Sequence, residues 1–377
     1  MAFEPMIARD IEKKFFFRES AKEMGYTALK TGLATLNSPY SNEYLNENFN
    51  LNMLVPNLAK EKIYKAFMSK LIVSSNKEYL YKNLGITYMA PDYESISRMK
   101  EVANNFNIPY SIIDPNDPSS IGLNPFVYKD PVKASLAISS ILKQMQLAEY
   151  ETQNMTGFTN SNMAYHTTLG TQAIENLVIL LKTVFPKVND GALPTLEDLL
   201  NMLNNFSLIE KMSKIMEKDE ELAEQYPMQI AYFKKNFYKK SENINKMNEI
   251  VAVPIAQLES LLRYPGVKNI LCNRYENLNY DNALKNGEVI FVCTRRGDLG
   301  ASTQKAFGLF LLLLMQQSVL SRPGNEKTRI PHFLYIDEFP PFVTKATEDI
   351  FTLYRKYRVG TIISAQNLSQ FGAEKEA

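Results

Sequence analysis

Cysteine and histidine are scarce: the 377 residues hold two of each, Cys272 and Cys293, His166 and His332. The cysteines stand far apart with no metal-ligand neighbour, which argues against a zinc site and fits a reducing compartment. The isolated histidines argue against a histidine-based metal centre or triad. An excess of one charge is missing too. Lys and Arg number 42 against 41 Asp and Glu, a net charge of +1, so any nucleic-acid surface has to be a local lining that the average hides. The longest apolar run, Ala306 to Met315, has about ten residues where a bilayer span needs about 20, and it reads as a buried core helix. Near the start, Arg9, Lys13, Lys14 and Arg18 are followed by no apolar signal region. The chain itself is expected to be soluble. Its end at Ala377, just after a strand-like segment, reads as a chain that stops short of its last elements.

With 45% apolar and 22% charged residues, the composition is that of ordinary globular protein. The first stretch is mixed and charged, with a helix expected near Ile7 to Glu23. Strand and helix then alternate: strand Leu51 to Val55, helix Lys62 to Val73, strand Gly85 to Ala90, helix Ser95 to Asn105 and strand Ile108 to Ile113, closed by the Asp114-Pro115 turn. This order predicts a parallel sheet covered by helices. From Pro131 to about Leu262 strand patterns vanish and helices are expected at Thr171 to Val184, Thr195 to Asn205, Leu208 to Lys218 and Pro254 to Leu262. Strand Val289 to Cys293, helix Gln304 to Leu320, strand Phe333 to Ile336, helix Glu348 to Tyr357 and strand Thr361 to Ser364 follow. The expected organisation is an N-terminal helical or irregular segment over 1–48, an α/β domain over 49–147 and 263–377, and an inserted all-α domain over 148–262.

The segment Phe333-Leu334-Tyr335-Ile336-Asp337-Glu338-Phe339 is the strongest chemical signal. A nucleotide hydrolase needs an apolar strand, buried on both faces, that ends in two carboxylates. The first holds the water shell of Mg²⁺, and the second polarises the attacking water. The plainer alternative is a buried strand ending in an acidic turn. The next strand, Val359 to Ser364, runs into Ala365-Gln366, and the Gln366 amide can both donate and accept at a γ-phosphate. The phosphate-loop pattern G-x-x-x-x-G-K-[ST] occurs nowhere. In its expected place stands Pro56-Asn57-Leu58-Ala59-Lys60-Glu61-Lys62-Ile63. Lys62 occupies the lysine position, while Pro56 and Glu61 replace the glycines that let backbone N–H groups wrap phosphates, and Ile63 replaces the hydroxyl.

Basic residues follow the strand ends. Arg295 and Arg296 come after one strand, and Arg355, Lys356 and Arg358 precede another. They are candidates for nucleic-acid backbone contact or for an arginine finger reaching a neighbouring subunit. Solvated helix ends are the alternative. Lys234, Lys235, Lys239 and Lys240, interleaved with Phe233, Phe237 and Tyr238, could grip a single strand, although a charged amphipathic helix is the preferred reading.

Together these segments resemble the TraG/TraD-type coupling proteins of conjugative type IV secretion, within the FtsK/HerA group of motors. Tyr88-Met89-Ala90-Pro91-Asp92 is similar to the family's strand with an acidic turn. Ile112-Ile113-Asp114-Pro115 with Leu123-Asn124-Pro125-Phe126 is similar to its next strand and its Asn-Pro-Phe element. Phe333 to Phe339 resembles its Walker B strand, and Ile363 to Gln370 its Gln-(Ser/Asn)-Leu-Ser-Gln element. The resemblance covers about residues 50–370 and departs from the family at the phosphate loop. It implies a RecA-like, mostly parallel α/β fold with helices on both faces and an inserted all-α domain. It implies ATP and Mg²⁺ as cofactors, with Asp337 on the magnesium side, Glu338 as base, Gln366 as sensor and Lys62 at the phosphates. It further implies a homo-hexamer that moves single-stranded DNA or a relaxase–DNA complex to secretion-channel proteins, at the cytoplasmic face of the membrane. The lost glycines keep a catalytically weak or inactive paralogue, acting as a cargo-binding or DNA-binding module, as the first alternative. A chromosome-partition or packaging motor is the second.

Overall fold

The computed structural model describes residues 84–365, apart from 106, 153–159 and 345–346. The expected helix at Ile7 to Glu23, the strand at Leu51 to Val55, Lys62 with its helix, and Gln366 all lie outside the described residues. Five parallel strands form one sheet: β1 (Gly85–Ala90), β2 (Ser111–Ile113), β3 (Val289–Cys293), β4 (His332–Ile336) and β5 (Val359–Ile363), in the order β2-β3-β1-β4-β5. The register aligns Gly85 with His332 and Ile336 with Ile363, so the strands begin and end nearly level. They are largely apolar because both faces are covered. Val289, Phe291 and Cys293 of β3 point with Ile86, Tyr88 and Ala90 of β1 toward α1 (Tyr93–Asn105), which contributes Ile96, Met99 and Ala103. Ile290 and Val292 point the other way, into the larger core.

That core is shared with a helical stretch inserted between β2 and β3. It runs through α2 (Pro131–Thr152), α3 (Asn160–Val188), α4 (Leu196–Asn204), α5 (Phe206–Lys218), α6 (Glu220–Gln225), α7 (Pro227–Asn236), α8 (Ile244–Leu262), α9 (Pro265–Leu271) and α10 (Tyr280–Asn286). The local chemistry sets several boundaries. Thr195 caps α4 through a capping box with Asp198, Asn205 caps α5 and Asp219 caps α6. The entry and exit of the stretch are tied at Asn124, which is fully buried. Its amide donates to the carbonyls of Pro194 (2.8 Å) and Asn273 (2.9 Å), and its oxygen accepts from the Phe126 N–H (3.0 Å). The Asn-Pro-Phe element is thus a structural knot. Gly266 at the start of α9 is needed for close approach, since a Cβ there would sit 1.9 Å from the Pro115 carbonyl oxygen.

After β3 comes α11 (Arg296–Leu320), whose apolar run packs in the core as expected, but the helix begins well before Gln304. Gly300, at φ 72°, breaks the helical geometry and separates a first turn at Arg296 from the buried body. The expected helix from Glu348 to Tyr357 is instead a short α12 (Asp349–Thr352) followed by a 3₁₀ turn, Tyr354–Tyr357, ended by Arg358 at φ 58°. The strand expected from Ile108 pairs only over Ser111–Ile113. No helix among the described residues is long and apolar enough to cross a membrane.

His332, at the start of β4, is buried with Nε2 2.9 Å from the Thr87 hydroxyl. Its ring fills the space that a Cβ on Gly85 would need, 2.2 Å from Nδ1. Burial first, and Arg322 nearby second, push its pKa down to about 3 from its ordinary 6.5. The unfolded chain therefore binds the extra proton between those values, and the stability present above pH 6.5 is lost as pH falls toward 3. Unfolding free energies from denaturant titrations at pH 7.5 and 5 should differ by about 2 kcal/mol from this group alone. His332→Gln should flatten that slope.

Candidate functional site

Because all the strands run the same way, their carboxyl ends form one edge, where an open parallel sheet ordinarily binds its ligand. Asp92 follows β1, Asp114 follows β2, Thr294 and Arg295 follow β3, Asp337 and Glu338 follow β4, and Ser364 follows β5. The β4 tip is stitched to its neighbours on both sides. Asp337 donates its N–H to the Met89 carbonyl of β1 (2.8 Å), and Phe339 donates to the Ser364 carbonyl of β5 (3.0 Å). Ser364 links the two carboxylate residues directly: its hydroxyl donates to Asp337 Oδ1 and accepts from the Glu338 N–H at 3.0 Å. Asp337 is buried, whereas Glu338 is 28% exposed at its side chain. Glu338 sits at φ 55°, a left-handed conformation costing a non-glycine residue about 1 kcal/mol, which the two flanking strand contacts hold in place.

The basic residues at this edge divide by role. Arg295, also left-handed at φ 48°, forks onto the fully buried Asp114 with Nε at 2.7 Å from Oδ1 and an Nη at 2.8 Å from Oδ2. It also lies over the Tyr93 ring at 4.6 Å. The hydrogen bond to Asp114 raises the guanidinium's pKa, so the charge is fixed. Arg296 opens α11, donates its N–H to the Pro91 carbonyl (2.9 Å) and reaches Glu338 Oε2 at 3.2 Å. Behind them Gln304 donates to the Thr294 hydroxyl at 3.2 Å. Burial pushes the Cys293 thiol up to about 12, which makes it an inert core group.

Asp337 and Glu338 are therefore brought together on one strand tip, with Arg296 beside Glu338. Arg295 is committed to Asp114. Arg355 and Arg358 are not brought to this group. They precede β5 and sit at the opposite, amino edge, separated from Glu338 by the length of a five-residue strand, about 17 Å. Phe233 and Phe237 are fully buried and Lys234 pairs with Glu217, so the Lys-rich stretch is a helix face rather than a stacking platform. Two participants went unread in the sequence. Ser364 carried a signal, a hydroxyl at the tip of the strand after the Asp-Glu strand. The Arg295–Asp114 pair carried none, because its members are far apart in the chain.

Carboxylates of the kind that Mg²⁺ takes stand at this edge. Among the described residues no group of three or more His, Cys, Asp or Glu side chains could hold a metal ion. Mg²⁺, however, is ordinarily held by one or two carboxylates together with phosphates and water, and Asp337 and Glu338 supply hard oxygens next to a cationic Arg296.

No family profile matches the sequence, and no curated protein does. Among solved structures, the chain is similar to the bacterial conjugative coupling protein TrwBdeltaN70 in its unbound form, at 13% identity and a TM-score of 0.45, covering 80% of this chain and 61% of that one. It is similar to plasmid coupling protein TrwB in complex with ADP and Mg²⁺ at 13% identity and a TM-score of 0.42, covering 79% and 67%. A complex of TrwB with the non-hydrolysable GTP analogue GDPNP gives 12% identity, a TM-score of 0.43, and coverage of 79% and 66%. The chain spans less than two thirds of the first of these.

Removing one member of a buried ion pair strands the other. Arg295→Ala should lower unfolding stability by about 3–5 kcal/mol in chemical denaturation, because Asp114 keeps a buried charge. The double variant Arg295→Met/Asp114→Asn should lose less than the single one.

Proposed function

We propose that this chain is the motor part of an ATP-driven coupling protein of conjugative secretion, moving DNA or a relaxase–DNA complex toward secretion-channel proteins. The observation that carries the reading is the joined tip of β4 and β5. A buried Asp337 and a partly exposed Glu338 lie side by side, positioned by the Ser364 hydroxyl on the adjacent parallel strand. The motifs read in the sequence support the same assignment, with Lys62 at the phosphates and Gln366 as the polar residue after β5. Residues 49–147 with 263–377 would form the motor and 148–262 the inserted cargo-facing unit. A homo-hexamer at the cytoplasmic face of the membrane is the assembly this reading implies.

In this reading the residues divide the work. Mg²⁺, when bound with ATP, supplies charge neutralisation at the phosphates. Asp337, held by Ser364, would orient the metal's water shell. Glu338 would accept a proton from the attacking water, a role for which its partial exposure is suited. Arg296 holds Glu338 in the described state and has to release it, or turn toward the phosphates, before the carboxylate can act as base. A second reading has its own support. The replaced glycines at Pro56 and Glu61, together with the Arg296–Glu338 ion pair, favour a catalytically weak or inactive paralogue that binds cargo or DNA.

ATP hydrolysis and ATP binding by the purified protein separate the two. The first reading expects turnover that Glu338→Gln abolishes while nucleotide affinity stays within about threefold of the parent, a free-energy change under 1 kcal/mol. An unchanged hydrolysis rate in that variant removes Glu338 from the base role. Lys62→Ala should weaken ATP binding at least about tenfold, about 1.4 kcal/mol. Unaltered affinity moves the phosphate site elsewhere.

A further inference from the structure

The amino edge of the sheet holds a second concentration of charge, built differently from the first. Arg322 is only 7% exposed, yet among the described residues it meets no carboxylate. Its guanidinium donates to three backbone carbonyls: Tyr357 at 3.0 Å, Leu284 at 2.5 Å and Ile330 at 2.6 Å. Arg329 likewise donates to the carbonyls of Pro323, Lys356 and Arg322, and lies over the Tyr357 ring at 5.0 Å. Arg358 donates to the Glu326 carbonyl at 2.6 Å. These bonds clamp the turn before β4 against the turn before β5. They satisfy donors but neutralise nothing, so three full charges remain close together. Burial first, then repulsion from Arg329 and Arg358, brings the Arg322 pKa down to about 10. Elsewhere this chain handles partly buried arginines otherwise: Arg295 pairs with Asp114 and Arg274 with Asp198.

Three more cations surround the clamp. Lys327, Arg355 and Lys356 are exposed, and no side-chain partner is found for them among the described residues. The nearby acids offset little. Glu326 is exposed and in no ion pair among the described residues, and Glu288 accepts from the Asn286 amide. In a chain of net charge +1, this is a marked local excess.

We propose that the amino edge of the sheet, through Arg322, Lys327, Arg329, Arg355, Lys356 and Arg358, binds the phosphate backbone of single-stranded nucleic acid. The inference rests on the reading of DNA as partner and deepens it by assigning the face. The state of the guanidiniums selects the ligand. A single carboxylate or a single phosphate is recognised by an open arginine fork. Here the forks of Arg322 and Arg329 are spent on carbonyls, and what they offer is field. Field without directed donors suits a polymer of repeating phosphates, whose binding is dominated by counterion release. The face is also free to act together with the carboxyl edge, because the length of the strands separates them.

The test uses the full chain and a fluorescent single-stranded oligonucleotide, with anisotropy measured over a range of salt. The triple variant Lys327→Glu/Arg355→Glu/Lys356→Glu should keep its thermal midpoint, since none of the three side chains has a partner to lose among the described residues. It should bind at least about tenfold more weakly at low salt, and the slope of log K against log salt should fall by about 2, three phosphate contacts at about 0.7 each. The milder Lys327→Gln/Arg355→Gln/Lys356→Gln variant should lie between, and it serves alone if the charge reversal unfolds the chain. Glu338→Gln should bind the oligonucleotide like the parent. A parent that binds while the triple variants keep its affinity and slope overturns the face but leaves DNA as partner. A parent that binds no oligonucleotide overturns both. Polyglutamate of matched charge binding as tightly as the oligonucleotide overturns the nucleic-acid assignment in favour of an acidic protein surface.

Discussion

A parallel strand buried on both faces can carry polar chemistry only at its ends, and the described part of this molecule is organised by that constraint. Five such strands lie level with one another, so their charged residues collect at the two edges. At the carboxyl edge the chain turns acidic, with Asp92, Asp114, Asp337 and Glu338. At the amino edge it turns basic, with the arginine clamp around His332.

Each edge is held by a different bonding logic, and the difference bears on function. At the carboxyl edge, charges are compensated inside the chain: Arg295 forks onto Asp114, and Arg296 reaches Glu338. The first pair is buried and bidentate, a structural tie between the tips of β2 and β3. The second is partly exposed and holds a residue already in a left-handed conformation, so it can be exchanged for other partners at modest cost. At the amino edge, the guanidiniums are bound to carbonyls and their charge is left for something outside.

The inserted helices share the larger core with this frame, and specific polar contacts tie the two together as well. Asn124 bonds to both the α3–α4 loop and the segment after α9, and Gly266 lets that region approach Pro115. The Tyr264 hydroxyl donates to Asn116, whose amide donates to Asp298 in the first turn of α11. Polar contacts therefore run from the end of the helical stretch to the turn that bears Arg296, next to Glu338.

Much of this was legible in the residue order. Uninterrupted apolar runs such as Val289 to Cys293 announced strands buried on both faces, and the loss of strand patterns after Pro131 announced the helical stretch. The Asp-Glu ending of β4 was legible because adjacent residues on one strand tip remain neighbours in any fold. The helix expected from Thr195 to Asn205 corresponds to α4, with Thr195 as its cap. What the order could not disclose was whatever depends on the strand neighbours. The hydroxyl of Ser364 meets Asp337 only because β5 lies beside β4. Arg295 finds Asp114 only because β3 lies beside β2, across the whole helical stretch. Arg355 and Arg358 fall at the edge away from the carboxylates because every strand runs in the same direction. Sequence by itself determined which segments are strands and which residues end them, since those follow from local periodicity and adjacent chemistry. Tertiary structure alone decided which ends meet, because pairing between distant segments is a matter of packing and leaves no mark on either partner.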